Sequence, residues 1–69
     1  MKYLDYKIDV LELDMNVVNI LINNGINKIS DLYVLNRKKL KEFGLSDGNI
    51  NKISIKLQLL GLDLNGKKY

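Results

Sequence analysis

The side chains of this chain that could do chemistry are mostly basic or amide groups. Its densest run of positive charge is residues 37–41, where four of the five residues are basic: Arg37, Lys38, Lys39 and Lys41. Guanidinium and ammonium groups at this spacing pair with phosphate oxygens or with carboxylates of an acidic partner. The same run is typical of a solvated helix face, so both interpretations stay open from the residues alone.

A second group of polar side chains lies earlier in the chain. Asn16 and Asn19 are three residues apart, which places them on one face of a helix. Asparagine can hydrogen-bond to the acceptors of a DNA minor groove. In a chain this rich in asparagine, the pair could equally be ordinary surface residues.

Catalysis and metal binding are predicted to be absent. The chain has no histidine and no cysteine, so it lacks the commonest general base, the commonest metal ligand and any disulfide. The early carboxylates do not have the spacing of a calcium-binding EF-hand loop, and no glycine lies between them: Asp5, Asp9, Glu12 and Asp14. We therefore expect no catalytic residue, no metal, no cofactor and no small-molecule substrate.

Length and composition set the class of the protein. Sixty-nine residues make one small domain, which must be stabilised by apolar burial; 46% of the residues are hydrophobic. The net charge of +3 fits polyanion binding without requiring it. Neither a signal peptide nor a membrane span is visible, so we expect a cytoplasmic location. Both a free-standing small protein and an excised domain are compatible with these features.

Three glycine–aliphatic pairs indicate where helices end: Gly25-Ile26, Gly44-Leu45 and Gly61-Leu62. Glycine takes the left-handed conformation that ends many helices, and the aliphatic residue after it can pack back on the last turn. Each pair closes a stretch of helical apolar spacing. The chain is therefore predicted to be all-α.

The first two helices are predicted from their caps and apolar spacing. The first helix is predicted over residues 15–24. Asp14 is its expected N-cap, and Val18, Leu21 and Ile22 are expected to face inward. A very short helix over residues 32–35 follows Ser30 as N-cap.

Two further helices follow in the second half. Asn36 caps a helix over residues 37–43, and Ser46 or Asp47 caps a longer one that ends near residue 60. Ile55 and Leu59 are expected to widen the buried stripe of this last helix.

The organisation predicted from these elements has three parts. Residues 1–10 form an extended or loosely helical arm, residues 11–64 form the helical domain, and residues 65–69 form a polar tail that frays. The domain is expected to be a compact bundle of four to five short helices, arranged as two crossed helical hairpins.

Four pieces of sequence carry a resemblance to a known family. They are Leu11-x-Leu13 before the first helix, Asn19 inside it, Gly25-Ile26-x-x-Ile29-x-Asp31-Leu32, and Leu57-x-x-Leu60-Gly61-Leu62-x-Leu64. With these pieces, residues 11–64 resemble the C-terminal domain of the bacterial RNA polymerase alpha subunit. The resemblance covers roughly four-fifths of the chain.

The resemblance implies a helix-hairpin-helix fold that binds the minor groove of AT-rich promoter DNA and contacts RNA polymerase or a transcription regulator. It implies DNA contacts from Asn19, which matches an asparagine of the family, and from Asn16, which stands in place of an arginine. It also implies contacts from the hairpin and the start of the last helix, whose residues here are Gly44, Ser46, Gly48, Asn49 and, one turn on, Lys52.

A second resemblance gives an alternative function. Asn24-Gly25-Ile26, Leu32, Leu35 and the run from Leu40 to Leu45 are also similar to sterile alpha motif (SAM) domains. That resemblance implies a protein–protein interaction module that self-associates and does not bind DNA.

Overall fold

Four α-helices and a short two-stranded sheet make up the domain. A computed structural model describes residues 2–69. Two 3₁₀ helices, Lys2–Asp5 and Ile8–Leu11, precede α1 (Met15–Asn23), α2 (Ile29–Tyr33), α3 (Arg37–Glu42) and α4 (Asp47–Gln58). Strands β1 (Leu62–Asp63) and β2 (Lys67–Lys68) pair antiparallel after α4. The predicted mostly helical fold is confirmed, and the small sheet is a correction to all-α.

The prediction that glycine ends the helices is confirmed for α1 and α3. Gly25 and Gly44 have φ of +82° and +100°. The following amides reach back to carbonyls five residues earlier, Ile26 N to Leu21 O at 2.9 Å and Leu45 N to Leu40 O at 3.3 Å. Both aliphatic side chains are buried, so each helix end is closed by a hydrogen bond and an apolar contact.

Two of the predicted caps close a helix start with a side-chain hydrogen bond, whereas Asp14 stands at the N-cap position of α1 without one. Asn36 Oδ1 accepts from Lys39 N at 2.8 Å, and Ser46 Oγ accepts from Asn49 N at 3.2 Å. Ser30 is not a cap, because α2 begins one residue before it, at Ile29. The carboxylate of Asp31 instead accepts the amides of Asn27 and Lys28 and so closes the start of α2.

One continuous apolar core lies at the centre of the domain, and α4 supplies more of its fully buried side chains than any other element. Ile50, Ile53 and Leu57 of α4 are completely buried. The core also includes side chains from every other helix and from both ends of the chain: Ile8, Leu11, Val17, Leu21, Ile26, Ile29, Leu32, Tyr33, Leu40, Leu45, Leu62 and Leu64.

The N-terminal segment is docked on the core. The predicted arm begins at Met1, which lies outside the described residues. Ile8 N donates to Asn27 O at 3.0 Å and Ile29 N donates to Tyr6 O at 2.9 Å, so the segment pairs with the start of α2. Ile8 is buried, whereas Val10 is half exposed. The arm is thus two short 3₁₀ helices held by backbone hydrogen bonds.

The C-terminal residues form a hairpin, where the sequence predicts a polar tail that frays. Asn65 and Gly66 connect β1 to β2 with left-handed φ values of +67° and +74°. Their amides donate to Leu35 O and Tyr33 O, each at 2.8 Å. The loop of the hairpin is therefore fastened to the segment that joins α2 to α3.

The inward faces of α1 and α4 differ in part from the predicted stripes. In α1 the buried side chains are Val17 and Leu21, while Ile22 is exposed. In α4 the side chains of Ile55 and Leu59 are exposed, because Ile50, Ile53, Ser54 and Leu57 occupy the buried side. Apolar side chains thus remain on the outer faces of both helices.

Two leucines on or beside α4 provide a matched stability test. Leu57→Ala should lower the free energy of unfolding by about 2–5 kcal/mol, because it leaves a cavity in the core. Leu59→Ala, at a position that is 75% exposed, should change it by less than about 0.5 kcal/mol. Urea unfolding followed by far-ultraviolet circular dichroism measures both. Equal effects of the two substitutions would contradict the central position of Leu57.

Candidate nucleic-acid interface

The turn between α3 and α4 is the centre of the predicted interface. Gly44 turns the chain with its positive φ, and Leu45 anchors the turn in the core. Ser46 then caps α4, whose first helical hydrogen bond runs from Ile50 N to Ser46 O at 2.9 Å. Two interactions thus hold the turn in place, the burial of Leu45 in the core and the cap that Ser46 provides for α4.

Two backbone amides at this turn face solvent. The amides of Asp47 and Gly48, in the first turn of α4, have no acceptor anywhere in residues 2–69. Amides at the start of a helix carry partial positive charge and suit anionic oxygens. A phosphate oxygen could take the place of the water that they otherwise bind.

Gly48 is not required by the backbone at this position. Its φ is not positive, and an added Cβ would lie 3.9 Å from Ser46 Oγ, which is an ordinary van der Waals distance. An alanine would therefore fit and would favour the helix more. The glycine is therefore a feature of the exposed surface at the start of α4 and not a requirement of the fold.

Carboxylates neutralise the lysines nearest to these amides. Lys41 Nζ lies 2.9 Å from Asp47 Oδ1, and Lys52 Nζ lies 3.9 Å from Asp14 Oδ2. All four side chains are exposed, and ion pairs of this kind contribute only about 0–1 kcal/mol each. A phosphate can therefore compete for either lysine, at the cost of a weak ion pair.

The starts of α1 and α4 lie next to each other, as the resemblance implies. A cleft of about 300 Å³ separates them and is lined by Asn49, Lys52 and Lys56 of α4, together with Glu12, Leu13, Asp14 and Val17. The Lys52–Asp14 pair crosses this cleft. Of the predicted residues, the structure thus joins Asn49 and Lys52 with the start of α1.

The two predicted asparagines of α1 lie outside that cleft. Asn16 and Asn19 are both exposed. Asn19 lines a different groove, which also contains Met15, Val18 and Ile22 and is largely apolar. The sequence prediction placed both amides at one interface with the hairpin, but only their exposure is established by the structure.

The basic patch divides into two halves with different surroundings. Lys39 pairs with Glu42 at 3.9 Å and also lies 5.7 Å from the ring centre of Phe43, while Lys41 pairs with Asp47. Arg37 and Lys38 have no carboxylate within 4.0 Å among the residues that the structure describes. The positive charges of α3 that have no carboxylate partner therefore lie at the start of the helix, at the opposite end from the α3–α4 turn.

A polar cluster around Asp63 was not predicted from the sequence. Asp63 Oδ1 accepts from Ser54 Oγ and from Leu64 N, both at 2.7 Å. Its Oδ2 accepts from Gln58 Nε2 at 3.1 Å and from the Tyr69 hydroxyl at 3.2 Å. The Asn65-Gly66 dipeptide after Leu62 and Leu64 is a hairpin signal that could have indicated this arrangement.

The cluster shifts the pKa values of two of its members. Partial desolvation raises the pKa of Asp63, but its four hydrogen bonds, with the bond from Ser54 lowering the pKa most, together hold it below its ordinary value of 3.8. The pKa of Tyr69 is raised above 10.0, chiefly because its hydroxyl donates to Asp63. The ionised carboxylate is therefore the form that the folded hairpin favours.

Comparisons with known proteins do not place the chain in a family. No family model matches it, and no curated protein matches it. The relationship to the polymerase alpha C-terminal domain thus stays a prediction from the sequence. None of the helices within residues 2–69 combines the length and the apolar content that crossing a bilayer would require.

The Asp63 cluster should make folding stability depend on pH. Because the folded-state pKa is lowered, the stabilisation is fully present above the unfolded value of about 3.9 and is lost as the pH falls through the folded value. Asp63→Asn should therefore lower the melting temperature at pH 7 and reduce its decline below about pH 4.

The control for this prediction is Asp5→Asn. The Asp5 side chain is exposed and makes no hydrogen bond or ion pair with a side chain of residues 3–69. Melting curves between pH 2 and 7 should leave the control parallel to the parent. Parallel curves for Asp63→Asn as well would show that the cluster does not contribute to stability.

Proposed function

We propose that this domain is a non-catalytic, transcription-related binding module that contacts the phosphate backbone of DNA through the α3–α4 turn. The observation that carries the proposal is the pair of uncovered amides at Asp47 and Gly48, at the start of a twelve-residue helix. The resemblance to the polymerase alpha C-terminal domain points to the same surface. On this proposal the protein acts in the bacterial cytoplasm.

The fold fits this proposal at the level of its helices. In the proposed arrangement α3, the turn and α4 form the helix-hairpin-helix unit, and α1 with α2 forms the hairpin that crosses it. Asn16 and Asn19 would then approach the minor groove of AT-rich DNA while the turn binds phosphates. Docking to RNA polymerase or to a regulator would use the remaining surface.

The ion pairs at the site limit the expected affinity. Lys41 and Lys52 must each leave a carboxylate before they can neutralise a phosphate. We therefore expect weak binding, with a dependence of log Kobs on log salt concentration of about −0.9 for each phosphate that is contacted. Fluorescence anisotropy of a labelled AT-rich duplex, titrated at low and moderate salt, tests the proposal. No salt-sensitive binding at high protein concentration would rule it out.

A single methyl group tests the role of the turn. Gly48→Ala should leave the melting temperature unchanged or raise it, because alanine favours a helix by up to about 1 kcal/mol over glycine. The same substitution should weaken duplex binding severalfold, since the methyl group obstructs the approach of a phosphate to the amides. Anisotropy titrations measure the affinity. Val34→Ala, at an exposed position on α2's end, is the control and should bind like the parent.

Exposed apolar side chains favour a second candidate function, the SAM-like one. Ile55 and Leu59 lie four residues apart on the outer side of α4 and are 56% and 75% exposed. Met15 and Ile22 of α1 are 73% and 45% exposed. Large apolar side chains grouped on outer helix faces are typical of protein interaction surfaces.

Self-association would follow from this second function. Sedimentation velocity from micromolar to millimolar protein should then give a sedimentation coefficient that rises with concentration. Leu59→Glu should abolish the rise, because it places a charge in the contact, whereas Leu59→Met should preserve it. A monomer at every concentration would rule out the self-association reading and leave DNA binding to be judged by the anisotropy titration.

A further inference from the structure

The largest cleft of the domain collects positive charge from two distant parts of the sequence. Its volume is about 440 Å³, and it lies between the start of α3, the middle of α4 and the C-terminal hairpin. Arg37 and Lys38 line it from α3, and Lys67 lines it from β2. Three cations from two elements thus face one concave surface.

The wall that carries Lys67 is held in place by the fold. The amides of Asn65 and Gly66 donate to Leu35 O and Tyr33 O, immediately before α3. On the opposite side, Arg37 Nη1 donates to Asn51 Oδ1 at 2.8 Å. This bond uses one of the five guanidinium N–H groups and orients the others, so the guanidinium of Arg37 does not need to be ordered by a ligand.

The cleft carries net positive charge, because its three cations outnumber its one carboxylate. Arg37, Lys38 and Lys67 have no carboxylate within 4.0 Å in the described part of the chain, in contrast to Lys39, Lys41 and Lys52. Asp63 also lines the cleft, but its two oxygens already accept four hydrogen bonds. Three free cations therefore face one carboxylate whose acceptor sites are taken.

We infer that this cleft binds a phosphodiester group of a nucleic-acid backbone, as a contact separate from the α3–α4 turn. The inference rests on the proposed function, because it assigns a second phosphate site to the same DNA-binding domain. Arg37 offers a planar fork to two phosphate oxygens, and the two lysines face the group from either side. Asn36 can add its amide N–H groups, since only its Oδ1 is used by the α3 cap.

Backbone ¹H–¹⁵N spectra of the intact protein distinguish this site from the turn. Titration with an AT-rich duplex should shift the amide signals of residues 36–38 and 63–67 as well as those of residues 46–49. Shifts confined to residues 46–49 would overturn the inference and leave the proposed function standing. The absence of shifts at both places would overturn both.

Inorganic phosphate serves as the probe for the source of the phosphate group. On the inference, phosphate alone should shift the signals of residues 36–38 and 63–67 only at much higher concentration than the duplex does. Saturation by inorganic phosphate with no response to the duplex would assign the cleft to a free phosphate compound and overturn the nucleic-acid reading.

Charge-removing substitutions test the same site by affinity. Arg37→Gln and Lys67→Gln should each weaken duplex binding several-fold and reduce the slope of log Kobs against log salt by about 0.9. Lys7→Gln removes the same charge from an exposed lysine on another side of the domain and is the control. Equal slopes for all three variants would mean that the cleft lysine and arginine contribute only general charge, which would overturn the inference. Circular dichroism confirms that each variant is folded.

Discussion

Burial of one face of α4 is the constraint on which the rest of the domain depends. Ile50, Ile53 and Leu57 are completely buried, and the second 3₁₀ helix, α3 and β1 all pack against this helix. With no cysteine to form a disulfide, the small domain depends on this apolar contact. The outer face of the same helix is thereby left exposed, and the two proposed functions rest on residues there, Gly48 at its start and Leu59 just after its end.

Electrostatics divide the surface into a compensated and an uncompensated region. At the α3–α4 turn, Lys41 and Lys52 are each held by a carboxylate, so backbone amides are the groups with unused binding capacity. At the start of α3 the charged side chains are the groups with unused binding capacity, because Arg37 and Lys38 have no carboxylate partner in residues 2–69. Lys67 lines the same cleft as these two residues. A polyanion that spans both regions would meet dipoles at one and full charges at the other.

The sequence was a good guide where a local rule decides the structure. Glycine at Gly25 and Gly44 and the caps Asn36 and Ser46 act within one helical turn. Three of these were predicted outright, and Ser46 was one of two caps predicted for the last helix.

Features that depend on distant neighbours could not be predicted in this way. Ile55 and Leu59 are apolar yet exposed, and helical spacing alone does not decide which edge of a broad apolar stripe faces the core. The Lys52–Asp14 pair joins residues from different helices and needs the tertiary fold to be seen. The C-terminal hairpin has strands of two residues, too short to show alternation, although its Asn65-Gly66 turn was visible in the sequence.

The hydrogen bonds of residues 65–69 with the rest of the domain also decide where the protein can be truncated. A boundary drawn after Leu64, the predicted end of the helical domain, would leave the carbonyls of Tyr33, Leu35 and Gly61 without the amides that now bind them. It would also remove the Tyr69 hydroxyl from Asp63 and the lysine from one wall of the largest cleft. A shortened protein would therefore lose stability and positive charge together, and a failure of such a protein to bind a polyanion would not separate the two causes.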